Sequence, residues 1–184
     1  DYVGAPRNSK WLNVTPIQNM WEQLQLTYDY GVEKLWILNV GDLKPMEYPI
    51  TLFLDMAWNL DKVAEEGVSA HLGNFLQREF GEKVGGELLP VMEEHYRLAY
   101  IRKPEFMGNT REEEYSTPDY RVVKDMPWSK EYVGQRLSDY RHISDKAEQL
   151  SKQVKTGHED AYFQLVKYPV QAAAEMNKKL LYAQ

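Results

Sequence analysis

The sequence predicts a mainly α-helical protein, in which an antiparallel helical bundle follows a short α/β segment with one clear strand. Beyond residue 60, apolar side chains recur at helical spacing in four long stretches. Before residue 60, a helical pattern leads into one unbroken apolar run at residues 34–40, which is typical of a strand buried on both faces of a parallel sheet. We therefore expect an α/β segment over residues 1–60 and a helical bundle over residues 61–184.

Composition and charge exclude several classes of protein. An apolar fraction of 43% in 184 residues is too high for a disordered chain and supports a sizeable core. A net charge of −6 argues against nucleic-acid or anionic-membrane partners, and no run approaches the roughly 18 apolar residues of a membrane span. Because the chain has no cysteine, disulfides and thiolate metal sites are excluded. The start at Asp1, without a methionine or a targeting signal, predicts a piece of a longer protein.

Capping residues and prolines predict where the helices begin, end and bend. Thr15 is the expected cap of the first helix, and Gly31 is placed to end it. Pro169 predicts a kink in the last helix, while Gly85-Gly86 and Pro90 are expected to loosen or kink the first turns of the helix in which they lie. The bundle helices are predicted over residues 69–80, 82–102, 129–155 and 158–182.

Two connections differ greatly in length. Residues 103–127 are predicted to form a loop far longer than the usual connection of about 4–6 residues, so this loop is either functional or mobile. By contrast, only a short link, Thr156-Gly157, joins the last two helices. Long amphipathic helices joined in this way pack antiparallel.

Polar residues at the end of the predicted strand form the first candidate site. Asn39, Asp42, Lys44 and Glu47 follow the apolar run, and Gly41 lets the backbone turn sharply. Ligands of α/β folds bind at the carboxyl ends of parallel strands, and Lys44 is suited to an anionic group. The alternative is an ordinary strand-to-helix turn with Asp42 as a cap.

A second candidate loop lies near the start of the chain. If residues 1–4 end a strand, Arg7 and Lys10 would suit a carboxylate or phosphate, and Trp11 would be free to stack on a sugar ring. A plain connecting loop with an exposed aromatic residue explains the same pattern equally well.

Both candidate loops belong to longer motifs that resemble a known family. Residues 1–13 have the sequence DYVGAPRNSKWLN, and residues 35–50 have the sequence LWILNVGDLKPMEYPI. These motifs resemble those of the xylan α-1,2-glucuronidases of glycoside hydrolase family 115. The later segments RKPE at residues 102–105 and YFQLVKYPV at residues 162–170 are also similar to that family.

The resemblance implies both a fold and an activity. Members are several-fold longer than this chain, with a (β/α)8 catalytic barrel before a helical bundle, so residues 1–60 would be the end of the barrel. They release (4-O-methyl)glucuronic acid from glucuronoxylan with inversion, using acid and base groups rather than a metal. We therefore expect no cofactor, a glucuronoxylan or xylo-oligosaccharide substrate, and a secreted or periplasmic location.

The resemblance also implies roles for the candidate residues. Asn39 and Asp42 would lie at the catalytic face, and Arg7, Lys44 and Glu47 would contact the glucuronate carboxylate. By the same resemblance most of the barrel lies upstream of residue 1, so we expect the isolated chain to be inactive and to self-associate through its exposed strand edge. The competing hypothesis is a non-enzymatic helical module that binds a protein or a glycan, in which residues 39–47 are only a turn.

Overall fold

All regular structure in the described part of the chain is helical. A computed structural model describes residues 13–40, 43–107 and 126–183. Its α-helices are α1 (Ile17–Asp29), α2 (Glu47–Trp58), α3 (Leu60–Glu66), α4 (Val68–Phe80), α5 (Glu82–Ile101), α6 (Lys130–Ser151), α7 (Glu159–Tyr162) and α8 (Tyr168–Leu181). A 3-10 turn lies at Pro104–Phe106, and a π-helix at Phe163–Lys167 joins α7 to α8. The prediction of a mainly helical protein is confirmed.

The longest helices form an antiparallel bundle in chain order. In each pair of neighbouring helices, the end of the first helix contacts the start of the second. The start of the first helix contacts the end of the second. The pairs are Ser69 with Glu93 and Gln77 with Gly85 between α4 and α5, Glu87 with Lys146 and Arg97 with Asp139 between α5 and α6, and Ala147 with Tyr162 and Arg136 with Asn177 between α6 and the last helices. The predicted antiparallel packing across the short link at residues 156–157 is therefore confirmed.

The first two helices share one apolar core with this bundle. Ile17 of α1 and Tyr48, Leu52 and Met56 of α2 are buried in the same cluster as the inner faces of α4, α5, α6 and α8. The Tyr48 ring lies 5.0 Å from the Phe75 ring in an edge-to-face arrangement. This packing fixes α2 on the bundle. It also fixes residues 43–46, which lead into α2.

The strand predicted at residues 34–40 is absent from the structure. This segment forms no β-ladder with any described residue, and it runs on the surface. Leu35 is 72% exposed and Ile37 is 79% exposed, whereas the prediction placed both in a buried sheet. Trp36 packs inward, with its ring 5.9 Å from that of Phe53, and Leu38 and Val40 are half-buried. A strand exists only where its N–H and C=O groups have a partner strand, and none of the described residues supplies one.

The sequence predicted the end of α1 correctly, but it did not predict the cap at the start of this helix. Pro16 rather than Thr15 occupies the cap position, no side chain caps the helix, and the buried Thr15 hydroxyl has no hydrogen-bond partner among the described residues. The predicted role of Thr15 is therefore wrong. Gly31 ends the helix as predicted: its φ is +88°, its N–H donates to the Tyr28 carbonyl, and the Val32 N–H reaches Thr27, which is a Schellman motif.

Helix α5 continues regularly through the residues expected to loosen it. Gly85 faces α4 so closely that an added Cβ would lie 2.4 Å from the backbone nitrogen of Gln77. Its role is close helix packing, and the helix is unbroken from Glu82 to Ile101. Pro90 is accommodated within the same helix on an exposed position.

A buried arginine anchors the start of the predicted long loop. Arg136 of α6 is 1% exposed, and it donates to the carbonyl groups of Leu98 and Arg102 and to Oδ1 of Asn177. These bonds tie the end of α5 to α6 and α8, in agreement with the rule that buried charges need hydrogen-bond partners. The 3-10 turn follows directly, and residues 108–125 of the predicted loop lie outside the described residues.

Within the described residues, four tyrosines are buried in the core, which affects stability at high pH. Burial raises the pKa of Tyr48, Tyr96 and Tyr162 well above its usual value, and it raises the pKa of Tyr140 to about 12. Each phenol is therefore neutral in the folded protein at pH values where an unfolded tyrosine already ionises, from about pH 10. A raised folded-state pKa adds stability that is complete below about pH 10 and is lost as the pH rises further.

We expect the protein to unfold cooperatively as the pH rises from about 10 to about 12. Helical circular dichroism and the ultraviolet absorbance of tyrosinate, followed on one sample, should change together for the buried phenols. The variant Tyr140→Phe should unfold with a shallower pH dependence, whereas Tyr30→Phe, at an 83% exposed position, should match the wild type. Complete tyrosinate formation before any loss of helix would contradict the prediction.

Candidate functional site

The structure describes three of the five predicted site residues. Asn39 lies exposed in the irregular segment before α2, Lys44 lies in the turn just before that helix, and Glu47 is the first residue of the helix. Arg7 and Asp42 lie outside the described residues. Lys44 Nζ is 3.5 Å from Glu47 Oε1, an ion pair between positions three apart in the chain. The structure therefore brings these two predicted site residues together.

Gln164 joins this pair from the far end of the chain. Lys44 Nζ donates to Gln164 Oε1 at 2.9 Å, and Gln164 Nε2 donates to Glu47 Oε1. The three side chains form a closed triangle, called here the Lys44–Glu47–Gln164 cluster. It connects α2 to the last helical segment across 120 positions of sequence.

The cluster retains unused hydrogen-bonding capacity. Oε2 of Glu47 is buried and has no hydrogen-bond partner in the described part of the chain. The Lys44 side chain is 72% exposed, whereas that of Glu47 is 31% exposed. A buried carboxylate oxygen without a donor costs free energy, so this oxygen is suited to accept from a ligand hydroxyl. The exposed ammonium is suited to a carboxylate.

A π-helix sets the position of Gln164. Pro169 has no N–H to donate to the carbonyl of Leu165, and its ring crowds that carbonyl in a regular α-helix. The π-helix Phe163–Lys167 ends two positions before Pro169, so the helix is irregular close to where the proline predicts a kink. Such wider turns are frequent at functional sites, and here the turn includes Gln164 while Leu165 and Val166 remain buried.

A second polar cluster at the other end of α2 has a structural role. His71 Nε2 donates to Asp55 Oδ2 at 3.0 Å, and His71 Nδ1 lies 3.4 Å from the Tyr48 hydroxyl, which donates to the Val68 carbonyl. Burial raises the pKa of Tyr48 far above neutrality, so its phenol stays protonated and does not act as a base. This chain of bonds fixes α2 on α4.

In the described part of the chain, no cavity and no group of metal-binding side chains indicates a second functional site. A cavity of about 940 Å³ between α1, α4 and α5 is lined by residues such as Trp21, Arg97 and Tyr100, and by none of the predicted site residues. Over residues 13–40, 43–107 and 126–183, no three acidic or histidine side chains lie close enough to hold a metal ion. Within the same ranges, no helix is long and apolar enough to cross a membrane.

Comparison with known proteins identifies the family. The sequence profile of glycosyl hydrolase family 115 matches residues 1–106, which is more than half of the chain. The chain belongs to glycosyl hydrolase family 115. The resemblance noted in the sequence is therefore confirmed. No curated protein matches this chain.

A solved structure supports the same assignment for the rest of this family 115 chain. It is described as a novel family GH115 4-O-methyl-α-glucuronidase with specificity for decorated arabinogalactans. The two are 56% identical with a TM-score of 0.94, and the match covers 100% of this chain. It covers 24% of the solved chain, so the family 115 chain spans about a quarter of that length.

Sequence reasoning missed Gln164 as a candidate site residue of this family 115 protein. Its segment, YFQLVKYPV, carries part of the family resemblance, but nothing in the local pattern connects it to Lys44. The contact is produced by tertiary packing between α2 and the π-helix. The available signal was the motif itself, which has a polar residue between apolar ones in the segment that precedes Pro169.

Proposed function

We propose that this chain is part of an α-glucuronidase that removes (4-O-methyl)glucuronic acid from a plant polysaccharide with inversion of the anomeric centre. The observation that carries the proposal is the Lys44–Glu47–Gln164 cluster, formed within motifs that resemble family 115. It offers an exposed ammonium beside a carboxylate with one unpaired buried oxygen. A glucuronic acid unit presents the complementary pair of groups, a carboxylate and several hydroxyls.

We assign the following roles in that reaction. Lys44 and Arg7 would bind the substrate carboxylate, and Glu47 would accept a hydrogen bond from a sugar hydroxyl. Asn39 and Asp42 would contact the reacting sugar at the catalytic face. Inverting hydrolysis needs an acid and a base about 6.5–9.5 Å apart, with a water between base and sugar. In our proposal, residues of the full-length protein that lie outside this chain supply part of this acid–base pair.

The exposed segment before α2 supports a barrel as the missing neighbour. Leu35 and Ile37 are 72% and 79% exposed, which is unusual for an apolar run. The chain spans 24% of the solved relative, so three quarters of that relative's length is available to cover this surface. We propose that residues 1–60 complete a (β/α)8 barrel, in which residues 34–40 would form a strand, and that residues 61–184 are the adjoining bundle domain.

Two polysaccharides are candidate substrates. The sequence resemblance implies glucuronoxylan, whereas the 56% identical solved relative is described as specific for decorated arabinogalactans. Because both polymers are extracellular, we also propose that the protein is secreted or periplasmic.

The deciding experiment measures glucuronic acid release from both polymers, with the full-length protein and the isolated chain side by side. We expect release by the full-length protein alone, because one segment of a barrel cannot hold an acid and a base within the roughly 0.5 Å that catalysis requires. Release from neither polymer would favour the interaction module instead. Release by the isolated chain would contradict the assignment of essential groups to the rest of the protein.

The isolated chain is expected to self-associate at high concentration through the surface at residues 34–40. Light scattering should show a dimer or larger species, and the double substitution Leu35→Lys with Ile37→Lys should restore a monomer. Tyr100→Lys, which changes a 70% exposed residue of α5, serves as the control and should leave association unchanged. A monomeric wild-type chain at high concentration would contradict the prediction.

A further inference from the structure

We propose that Gln164 is a positioning residue for the substrate site, so that the last helical segment of the bundle sets the geometry of Lys44 and Glu47. The inference rests on the proposed function, because it concerns the same acidic-sugar site. It extends that site from the motif at residues 35–50 to the motif at residues 162–170.

The chemistry of the amide explains why glutamine is required. A glutamine side chain carries one acceptor and two donors on adjacent atoms. Here the acceptor Oε1 faces the Lys44 ammonium and the donor Nε2 faces the Glu47 carboxylate. A glutamate of the same shape would lose the donor and place a second negative charge beside Glu47. A lysine would lose the acceptor and repel Lys44.

The backbone around Gln164 is well placed to impose a fixed position. Val166 is fully buried and Leu165 is 8% exposed, so the part of the π-helix that follows Gln164 is anchored in the core, whereas Phe163 before it is 54% exposed. The preceding Tyr162 is buried as well and donates to the Ala147 carbonyl of α6 at 2.7 Å. By contrast, Lys44 lies in a turn before α2 and is largely exposed. Gln164, held in place by its buried neighbours, therefore orients the exposed side chain of Lys44.

The unused groups of the cluster indicate that it binds something beyond itself. Lys44 has three N–H donors, and its described contacts are Gln164 and Glu47. Glu47 Oε2 is buried without a donor among the described residues. A cluster that only tied two helices together would not need to leave a buried carboxylate oxygen unsatisfied.

The chain contains a matched cluster that serves as an internal control. Lys167 Nζ lies 2.8 Å from Glu148 Oε2, and Gln171 Nε2 donates to the same oxygen at 3.2 Å. The residue types are the same and the glutamine lies on the same helical segment. Glu148 is 46% exposed, so this cluster is a surface contact between α6 and the last helices.

The test compares Gln164→Ala, Gln164→Glu and Gln171→Ala in the full-length protein. Rates of glucuronic acid release are measured over a range of concentrations of whichever polymer the wild type cleaves, and thermal unfolding is measured for each variant. We expect KM to rise at least about 10-fold for Gln164→Ala, with a smaller change in kcat and an unfolding midpoint close to that of Gln171→Ala. A tenfold change in affinity corresponds to about 1.4 kcal/mol.

The isosteric variant separates positioning from packing. Gln164→Glu should be at least as impaired as Gln164→Ala near neutral pH. Its defect relative to the wild type should shrink as the pH falls toward about 4, where a protonated glutamate again donates a hydrogen bond. Activity of Gln164→Glu equal to that of the wild type would overturn the inference alone. An inactive wild-type protein would overturn the proposed function and this inference with it.

Discussion

The full-length protein carrying Asn39→Ala or Asp42→Ala is expected to release glucuronic acid at least about 100-fold more slowly than the wild type. The lower bound is the usual contribution of a single acid, base or charge-stabilising group to catalysis. Asn39 is exposed in an irregular segment, so alanine removes little packing there. Initial rates should therefore fall while the thermal unfolding midpoint of Asn39→Ala stays close to that of the wild type.

A control on the bundle distinguishes this effect from a general one. Asp145→Ala removes an exposed carboxylate from α6 and should leave the release rate unchanged. Full activity in both Asn39→Ala and Asp42→Ala would show that residues 39–47 are an ordinary turn, and it would favour the non-enzymatic module.

The substitution Gly85→Ala is expected to destabilise the chain by about 3 kcal/mol, at the upper end of the range for overpacked cores. The added Cβ would lie 2.4–2.5 Å from backbone atoms of Leu76 and Gln77, so α4 and α5 would have to separate. Backbone atoms cannot move aside as a flexible side chain can. Urea unfolding followed by circular dichroism gives the change in free energy.

The neighbouring glycine provides a matched control for this prediction. Gly86 lies in the same helix, and nothing lies within 4 Å of the Cβ that alanine would add. Gly86→Ala should raise the free energy of unfolding by up to about 1 kcal/mol, because alanine is the better helix former. Equal effects of the two substitutions would mean that α4 and α5 do not approach as closely as described.

The sequence predicted most of the helical fold because helices depend on local spacing. The apolar period of about 3.6 located the four long bundle helices within a few residues, and Gly31 marked the end of α1. The apolar run at residues 34–40 misled the prediction for a physical reason. Such a run indicates that a segment is suited to burial. A strand also requires a neighbouring strand, and the described residues do not contain one.

The candidate site was predictable only in part. Lys44 and Glu47 are three positions apart, so their ion pair follows from local geometry. Gln164 is 117 residues from Glu47, and their contact depends on how the last helices pack on α2. The role of Gly85 was also missed, because its requirement comes from the backbone of a different helix.

The contact between Lys44 and Gln164 also bears on the order in which the protein matures. During synthesis Gln164 leaves the ribosome 120 residues after Lys44, by which time the earlier helices are able to associate. The triangle of side chains closes only when the final segment docks. In our proposal, an incompletely folded chain therefore cannot bind the charged sugar, although most of the residues that would contact the sugar are made early.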